Sequence, residues 1–123
     1  MLGKINLNEQ ANSISQLFNY LHVGDLNDHM LNIITAENRI LDFHEHEDSD
    51  EMFYIIDGKM QIELNDGLVN LETGDFFIVP KGTVHRPVCK SLVKCLLIER
   101  KGTLNQSNTG GAFTANSREA NKI

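Results

Sequence analysis

Three histidines and one glutamate have the residue types from which metal sites are built. His44 and His46 are two positions apart, and on a strand such side chains point to the same face, so both imidazoles can reach one ion. Glu51 follows five residues later, within reach of a short turn, and His85 lies on a later predicted strand. Neutral imidazoles with a hard carboxylate suit divalent Fe, Mn, Ni, Cu or Zn better than Ca or Mg. The sequence therefore predicts one divalent transition metal, with one or two coordination positions left for water or substrate.

The segment around these residues is strongly acidic, with six of the chain's 17 carboxylates between Asp42 and Glu51. A solvated acidic loop would have the same residue types, because short ligand patterns also arise by chance. Asp42 shares the face of His44 and His46 by strand alternation, where its carboxylate could orient an imidazole or act as an acid–base group. A β-bulge would instead turn it to solvent. Asp42 is therefore the candidate catalytic residue, with the bulge left open.

Residues 30–100 consist of short segments rich in Ile, Val, Leu, Phe and Tyr, separated by Gly, Asp and Asn turns. Such segments, spaced at about 8 to 12 residues, are typical of a β-sandwich or a small β-barrel. Glu51–Ile56 and Lys59–Leu64, joined by Asp57-Gly58, predict a two-residue hairpin. The predicted fold class is all-β, with the barrel over residues 29–102.

The hairpin register predicts which side chains line the barrel. It pairs Ile55 with Met60 and Phe53 with Ile62, and it places Glu51 at the edge of the same apolar face. The opposite face is half apolar, which predicts a cover. That cover is either a second copy of the chain, giving a homodimer, or the N-terminal arm.

Alternation also assigns side chains elsewhere. Cys89 is in phase with His85 and either faces the cavity or fills space as a small buried thiol. Arg39 and Arg86 fall on the outward phase of their strands, so neither is predicted to hold a substrate.

The two ends of the chain are predicted to lie outside the barrel. Residues 1–28 read as an N-terminal arm with a short helix that Ser13 would cap. The helix is predicted from apolar residues at helical spacing, which are Ile14, Leu17, Phe18 and Leu21. Residues 103–123 are poor in apolar side chains and read as a flexible C-terminal tail without a strand of its own.

Composition excludes several classes of protein. The chain has 123 residues and a net charge of −6, which disfavours nucleic acid because phosphates must be neutralised by Lys and Arg. No apolar run approaches the roughly 20 residues of a spanning helix, and no targeting segment is recognisable, so we predict a cytoplasmic protein with no membrane partner. Cys89 and Cys95 are predicted to be free thiols.

Two sequence blocks resemble both halves of the signature of the cupin superfamily. They are His44-x-His46-x4-Glu51-x6-Gly58 and Gly74-x5-Pro80-x-Gly82-x2-His85. The wider chain is similar to small single-domain bacterial cupins described as mannose-6-phosphate-isomerase-like. Two positions depart from the pattern, since Asn38 stands where the first block usually has Gly and Cys89 where the second usually has Asn.

The resemblance implies a jelly-roll barrel whose metal is held by His44, His46, Glu51 and His85 and whose mouth admits a small-molecule ligand. We expect that ligand to be polar or carboxylate-bearing. The reaction stays open: a metal-dependent dioxygenase or isomerase of a small metabolite and a non-catalytic module that binds or senses one are both compatible with the residues.

Overall fold

The computed structural model describes residues 3–103 and the backbone of a short strand at 117–119. Within these residues there are one short helix, α1 (Leu7–Asn12), and ten strands. The strands are β1 (Tyr20–Leu26), β2 (His29–Ala36), β3 (Arg39–Ile40), β4 (Glu51–Asp57), β5 (Lys59–Leu64), β6 (Gly67–Glu72), β7 (Phe76–Val79), β8 (His85–Cys89), β9 (Val93–Arg100) and β10 (Ser117–Glu119). The all-β fold predicted from the turn spacing is confirmed. No helix in this part of the chain is long and apolar enough to cross a membrane.

The strands form two sheets with the core between them. The larger sheet has the order β10-β1-β2-β9-β4-β7 and the smaller has the order β3-β8-β5-β6. Apart from β1–β10, neighbouring strands are antiparallel. Because side chains alternate along each strand, every second residue faces the opposing sheet. The central buried residues include Phe53, Ile55, Met60, Ile62, Val79, Val93, Cys95 and Leu97.

The predicted hairpin between β4 and β5 is wrong, although both strands exist. β4 pairs with β7 and β9, whereas β5 pairs with β6 and β8, so the chain crosses from one sheet to the other at Asp57-Gly58. A type I′ turn needs positive φ at both central residues, and of these two only Gly58 has it. The interior face was nevertheless predicted correctly, because the inward residues of both strands face the same core.

The crossing places Gly58 against the chain leading into β9. Gly58 has φ +106°, and a Cβ built there would lie 2.5 Å from the carbonyl oxygen of Leu92. Gly74 has a similar φ of +91° but no atom within 4 Å of its would-be Cβ. The two positions therefore share the backbone strain and differ in the clash.

We expect Gly58→Ala to destabilise the fold by clearly more than Gly74→Ala. The shared positive φ costs of order 1–3 kcal/mol for a non-glycine residue. At Gly58 the backbone at Leu92 must also shift, so the loss should be larger. Urea unfolding gives the free energy of unfolding of each variant. Gly74→Ala reports the cost of the positive φ, and the additional loss in Gly58→Ala reports the clash with Leu92. Equal losses of stability in the two variants would show that the close approach to Leu92 is unimportant.

The N-terminal region differs from its prediction. The helix begins after Asn6, whose side chain caps it by accepting from Glu9 N at 2.9 Å, and Ser13 stands at its C-terminal end. Phe18 has φ 68°, a left-handed conformation that a right-handed helix cannot include. The apolar spacing therefore did not mark a helix, and β1, inside the predicted arm of residues 1–28, is an internal strand of the larger sheet.

At the other end, residues 117–119 pair in parallel with β1, in the register Tyr20↔Ser117. The prediction that residues 103–123 contain no strand of their own is therefore wrong at 117–119. Residues 104–116 and 120–123 lie outside the described part, so the flexibility of the tail stays a prediction.

The outer face of the larger sheet is partly covered by the chain itself. Ala11 of α1 packs against a second buried cluster formed by Leu21, Ile33, Ile56 and Leu96. Further along this face, Met52 and Tyr54 are half-buried beside their β7 partners Ile78 and Phe76, and Phe76 is 60% exposed. The N-terminal segment therefore covers one part of the face, and the part at β7 is open within the described residues.

Candidate metal centre

Backbone pairing brings the two sequence blocks together. His44 and His85 form an isolated antiparallel bridge, with His44 N donating to His85 O at 3.0 Å and His85 N to His44 O at 2.9 Å. Gly82 N donates to His46 O at 2.8 Å, which holds the turn before β8 against the first block. Glu51 begins β4 and faces inward with Phe53. Chain segments from both sheets thus converge on one point inside the barrel.

At that point the four predicted side chains form one cluster. Each offers a ligand atom, and these atoms all lie within 4.8 Å of one another. Two donors at about 2.1 Å from one ion are at most about 4.2 Å apart, so a small contraction would place all four at bonding distance. His85 is fully buried, Glu51 is 3% exposed, His46 is buried and His44 is half-buried. The arrangement could hold a metal ion.

Carbonyl oxygens fix the proton on two of the imidazoles. His44 Nδ1 lies 2.8 Å from Asp42 O, and His85 Nδ1 lies 2.8 Å from Thr83 O. A carbonyl can only accept, so each Nδ1 carries hydrogen and the neutral ring keeps its lone pair on Nε2. Such contacts are the usual way in which proteins orient metal-binding imidazoles.

The position of the Glu51 carboxylate shows whether a cation fits between the side chains of the cluster. Its Oε1 lies 3.0 Å from His85 Nε2 and 3.3 Å from His46 Nε2. With Nδ1 of His85 already protonated, a neutral ring would turn a lone pair toward the carboxylate, and two buried acceptors at that distance repel. A cation between them, either a proton or a metal ion, removes the repulsion. The donor set therefore fits a divalent ion.

Burial acts on the pKa values of the cluster in opposite directions. Burial lowers the pKa of His44 below its usual 6.5, because desolvation disfavours the imidazolium. Burial alone would raise the pKa of Glu51, but hydrogen bonds from His46 and His85 and their charges outweigh it and lower the pKa to about 2. The lower pKa of His44 favours the neutral imidazole that a metal ion binds. Glu51 is kept ionised by positive charge beside it, which protonated imidazoles or a metal ion can supply.

An extra residue interrupts the strand that leads to His44. On β3, Arg39 pairs with Cys89 and Ile40 with Val88. If this register continued, Phe43 would pair with His85, but the residue that pairs with His85 is His44. One extra residue facing a regular partner strand defines a β-bulge. It lies at Asp42 and Phe43, which are both exposed.

The bulge reverses the alternation for every residue before it. The Asp42 side chain is turned to solvent, which is the alternative left open from the sequence, and only its backbone carbonyl contacts the site. Arg39 and Leu41 face the cavity instead. The outward assignment of Arg39 is therefore wrong. A catalytic role for Asp42 is untested and stays a prediction.

Comparison with known proteins decides the family. A family profile described as "Cupin domain" matches residues 35–99, more than half of the chain. The chain belongs to the cupin family. It is 36% identical over 84 residues to the uncharacterized protein YdbB of Bacillus subtilis (strain 168), covering 66% of this chain and 72% of that protein.

Two solved structures share the fold. A cupin-2 domain containing protein from Shewanella frigidimarina matches with a TM-score of 0.75 and 30% identity, over 79% of this chain and 94% of that one. A protein from Neisseria meningitidis matches with a TM-score of 0.71 and 22% identity, over 80% of this chain and all of the other. The second likeness shows the fold alone.

The cupin cavity extends from the cluster between the two sheets. Its polar lining residues are Tyr20, Arg39, His44, Glu51 and Cys89. The remaining lining residues are apolar, namely Phe18, Ile34, Ala36, Leu41, Phe53, Met60, Pro87 and Leu97.

Cys89 faces this cavity, as one of the two readings of the sequence proposed. Burial raises the pKa of its thiol to about 11, so it stays protonated near neutral pH. Cys89 and Cys95 are both buried free thiols, as predicted.

Sequence reasoning overlooked one further buried carboxyl side chain. Glu99 of β9 is 1% exposed and, by strand alternation, faces inward with Cys95 and Leu97. Its neighbour Ile98 pairs with Met52, so Glu99 lies at the Glu51 end of the barrel. The apolar alternation along β9 was visible in the sequence and could have identified it. It lies outside the cluster of four.

Proposed function

We propose that this cupin holds one divalent transition metal ion with His44, His46, Glu51 and His85, and binds a small polar or carboxylate-bearing molecule in the adjoining cavity. The observation that carries the proposal is the convergence of four ligand atoms within 4.8 Å, three of them on fully or almost fully buried side chains. Fe, Mn, Ni and Zn all suit this donor set. When bound, the metal would act as a Lewis acid with open positions for an oxygen ligand.

The chain's own residues would define the ligand environment. The cavity walls are mostly apolar, and surroundings of low polarity strengthen electrostatic contacts at the polar positions. The carbonyls of Asp42 and Thr83 hold two imidazoles in the orientation that turns Nε2 inward. The site is therefore oriented before any ligand enters.

The reaction, if there is one, is unassigned. A dioxygenase or isomerase would bind its substrate at the same site. The solvent-facing side chain of Asp42 favours the metabolite-binding or sensing alternative over a reaction in which Asp42 transfers a proton. Likeness to mannose-6-phosphate isomerases, a cytoplasmic location and a homodimer formed through the open part of the outer sheet face remain predictions.

Metal analysis joined to spectroscopy tests the proposal. Protein purified without added metal should contain about one equivalent of transition metal. Cobalt-loaded protein should show a visible absorption band that shifts when a small carboxylate occupies an open position. A protein that is folded but takes up no metal on reconstitution would contradict the proposal.

A further inference from the structure

Arg39 is brought into the metal cavity by the bulge. β3 reaches the smaller sheet through Asn38, which has φ 52°, and pairs Arg39 with Cys89 at the edge of that sheet. The inward direction set by the bulge makes Arg39 line the same cavity as His44 and Glu51. It is the one cationic residue among those that line this cavity in the described part of the chain.

The guanidinium group is held in place by an aromatic ring. Its Cζ lies 4.4 Å from the centroid of the Phe18 ring, within the range of a cation–π contact. Burial lowers the pKa of Arg39, but arginine stays protonated near neutral pH. A partly desolvated cation of fixed orientation is suited to a planar anion, because its donors match the two oxygens of a carboxylate.

Strand β8 gives the spacing between this cation and the metal cluster. His85, Pro87 and Cys89 are alternate residues of β8 and all are buried, with His85 in the cluster and Cys89 opposite Arg39. Four residues of strand span about 13 Å, and the side chains of Arg39 and of the cluster shorten this gap. The cavity wall between the two ends includes Leu41 and Pro87, which offer no side-chain hydrogen bond.

We propose that Arg39 is a second anchor for the ligand, so that the cavity selects a small molecule with an oxygen donor for the metal at one end and a carboxylate at the other. This rests on the proposed function, since the first end needs the metal. Arg86 provides the contrast. It pairs with Glu63 at 2.8 Å and lies over the Phe43 ring at 4.3 Å, and it does not line the cavity.

Matched pairs of acids test this selection on cobalt-loaded protein. Succinate, glutarate and adipate are each compared with the monoamide of the same length, which differs in one charge. The wild type should bind at least one diacid roughly 10- to 100-fold more tightly than its monoamide, as expected for hydrogen bonds to a charged group. Titration calorimetry and the cobalt band report the binding.

Variants assign the preference to one residue. Arg39→Met should bind diacid and monoamide equally, and Arg86→Met should keep the wild-type ratio. Metal content and unfolding midpoint are measured for each. If Arg39→Met fails to fold, Arg39→Lys replaces it and should lower the ratio, because ammonium lacks the bidentate fork.

The outcomes separate the two proposals. If the wild type holds metal but no diacid binds more tightly than its monoamide, the Arg39 proposal is wrong and the metal site stands. An unchanged ratio in a folded Arg39 variant also overturns it. If the wild type holds no metal, the proposed function fails and the Arg39 proposal fails with it.

Discussion

His85→Ala should lose the metal. His85 is fully buried, and its Nε2 lies 3.0 Å from Glu51 Oε1, so no solvent-exposed side chain can take its place without rearrangement. Changes to residues that merely orient a ligand cost about 10- to 100-fold in metal affinity, and removal of the ligand itself should cost more. Elemental analysis after gel filtration, with the unfolding midpoint measured in parallel, separates metal loss from misfolding.

Two control variants sharpen this experiment. His29→Ala removes a histidine that contacts Asp28 at 2.9 Å outside the cluster, and it should retain wild-type metal. Asp42→Asn changes a side chain that faces solvent but keeps the backbone carbonyl that orients His44, so it should also retain the metal. Wild-type stoichiometry in His85→Ala would refute the assignment. Loss of metal in Asp42→Asn would show that its carboxylate reaches the site.

The cluster could be predicted from the sequence because the patterns that indicate it, strand alternation and motif spacing, are local. The pair His44 and His46 depends on strand alternation over two residues, and a motif spacing supplied Glu51 and His85. The inward face of β4 and β5 was correct for the same reason, since alternation holds whichever strands are paired. Register between strands is set by the whole fold, and so the pairing of β4 with β5 was wrong.

The error at Arg39 and the solvent-facing position of Asp42 have one physical cause. Counting back from His44 by twos assumes an uninterrupted strand, and the bulge at Asp42 and Phe43 inserts one residue. Every inward or outward assignment made for residues before the bulge is therefore reversed. No residue type between Arg39 and His44 is specific for a bulge. The bulge arises because β3 and His44 pair with β8 in registers that differ by one residue. From the sequence, a bulge stayed an open alternative for Asp42 but was not extended to Arg39, so the cation in the cavity was recognised only from the structure.

Acidification should release the metal through the histidines. A metal binds imidazole only through its unprotonated nitrogen, so protons compete for the site as the pH falls through the histidine range, about pH 6.5 without a shift. Burial lowers the pKa of His44, so its competition begins at lower pH than for an ordinary histidine. Glu51, with a pKa of about 2, stays ionised throughout. The loss of metal should therefore come from protonation of the imidazoles.

The steepness of the release reports how many histidines bind. Three imidazoles each take up one proton, so once all are titrating the metal affinity should fall by up to about 1,000-fold for each pH unit, whereas a single histidine gives tenfold. The cobalt band followed from pH 8 to pH 4.5 measures the slope, and circular dichroism checks that the barrel stays folded. Return to neutral pH with cobalt should restore the band. Full retention of metal after prolonged dialysis at pH 5, or a decline that starts only near pH 4, would instead indicate a site dominated by carboxylates.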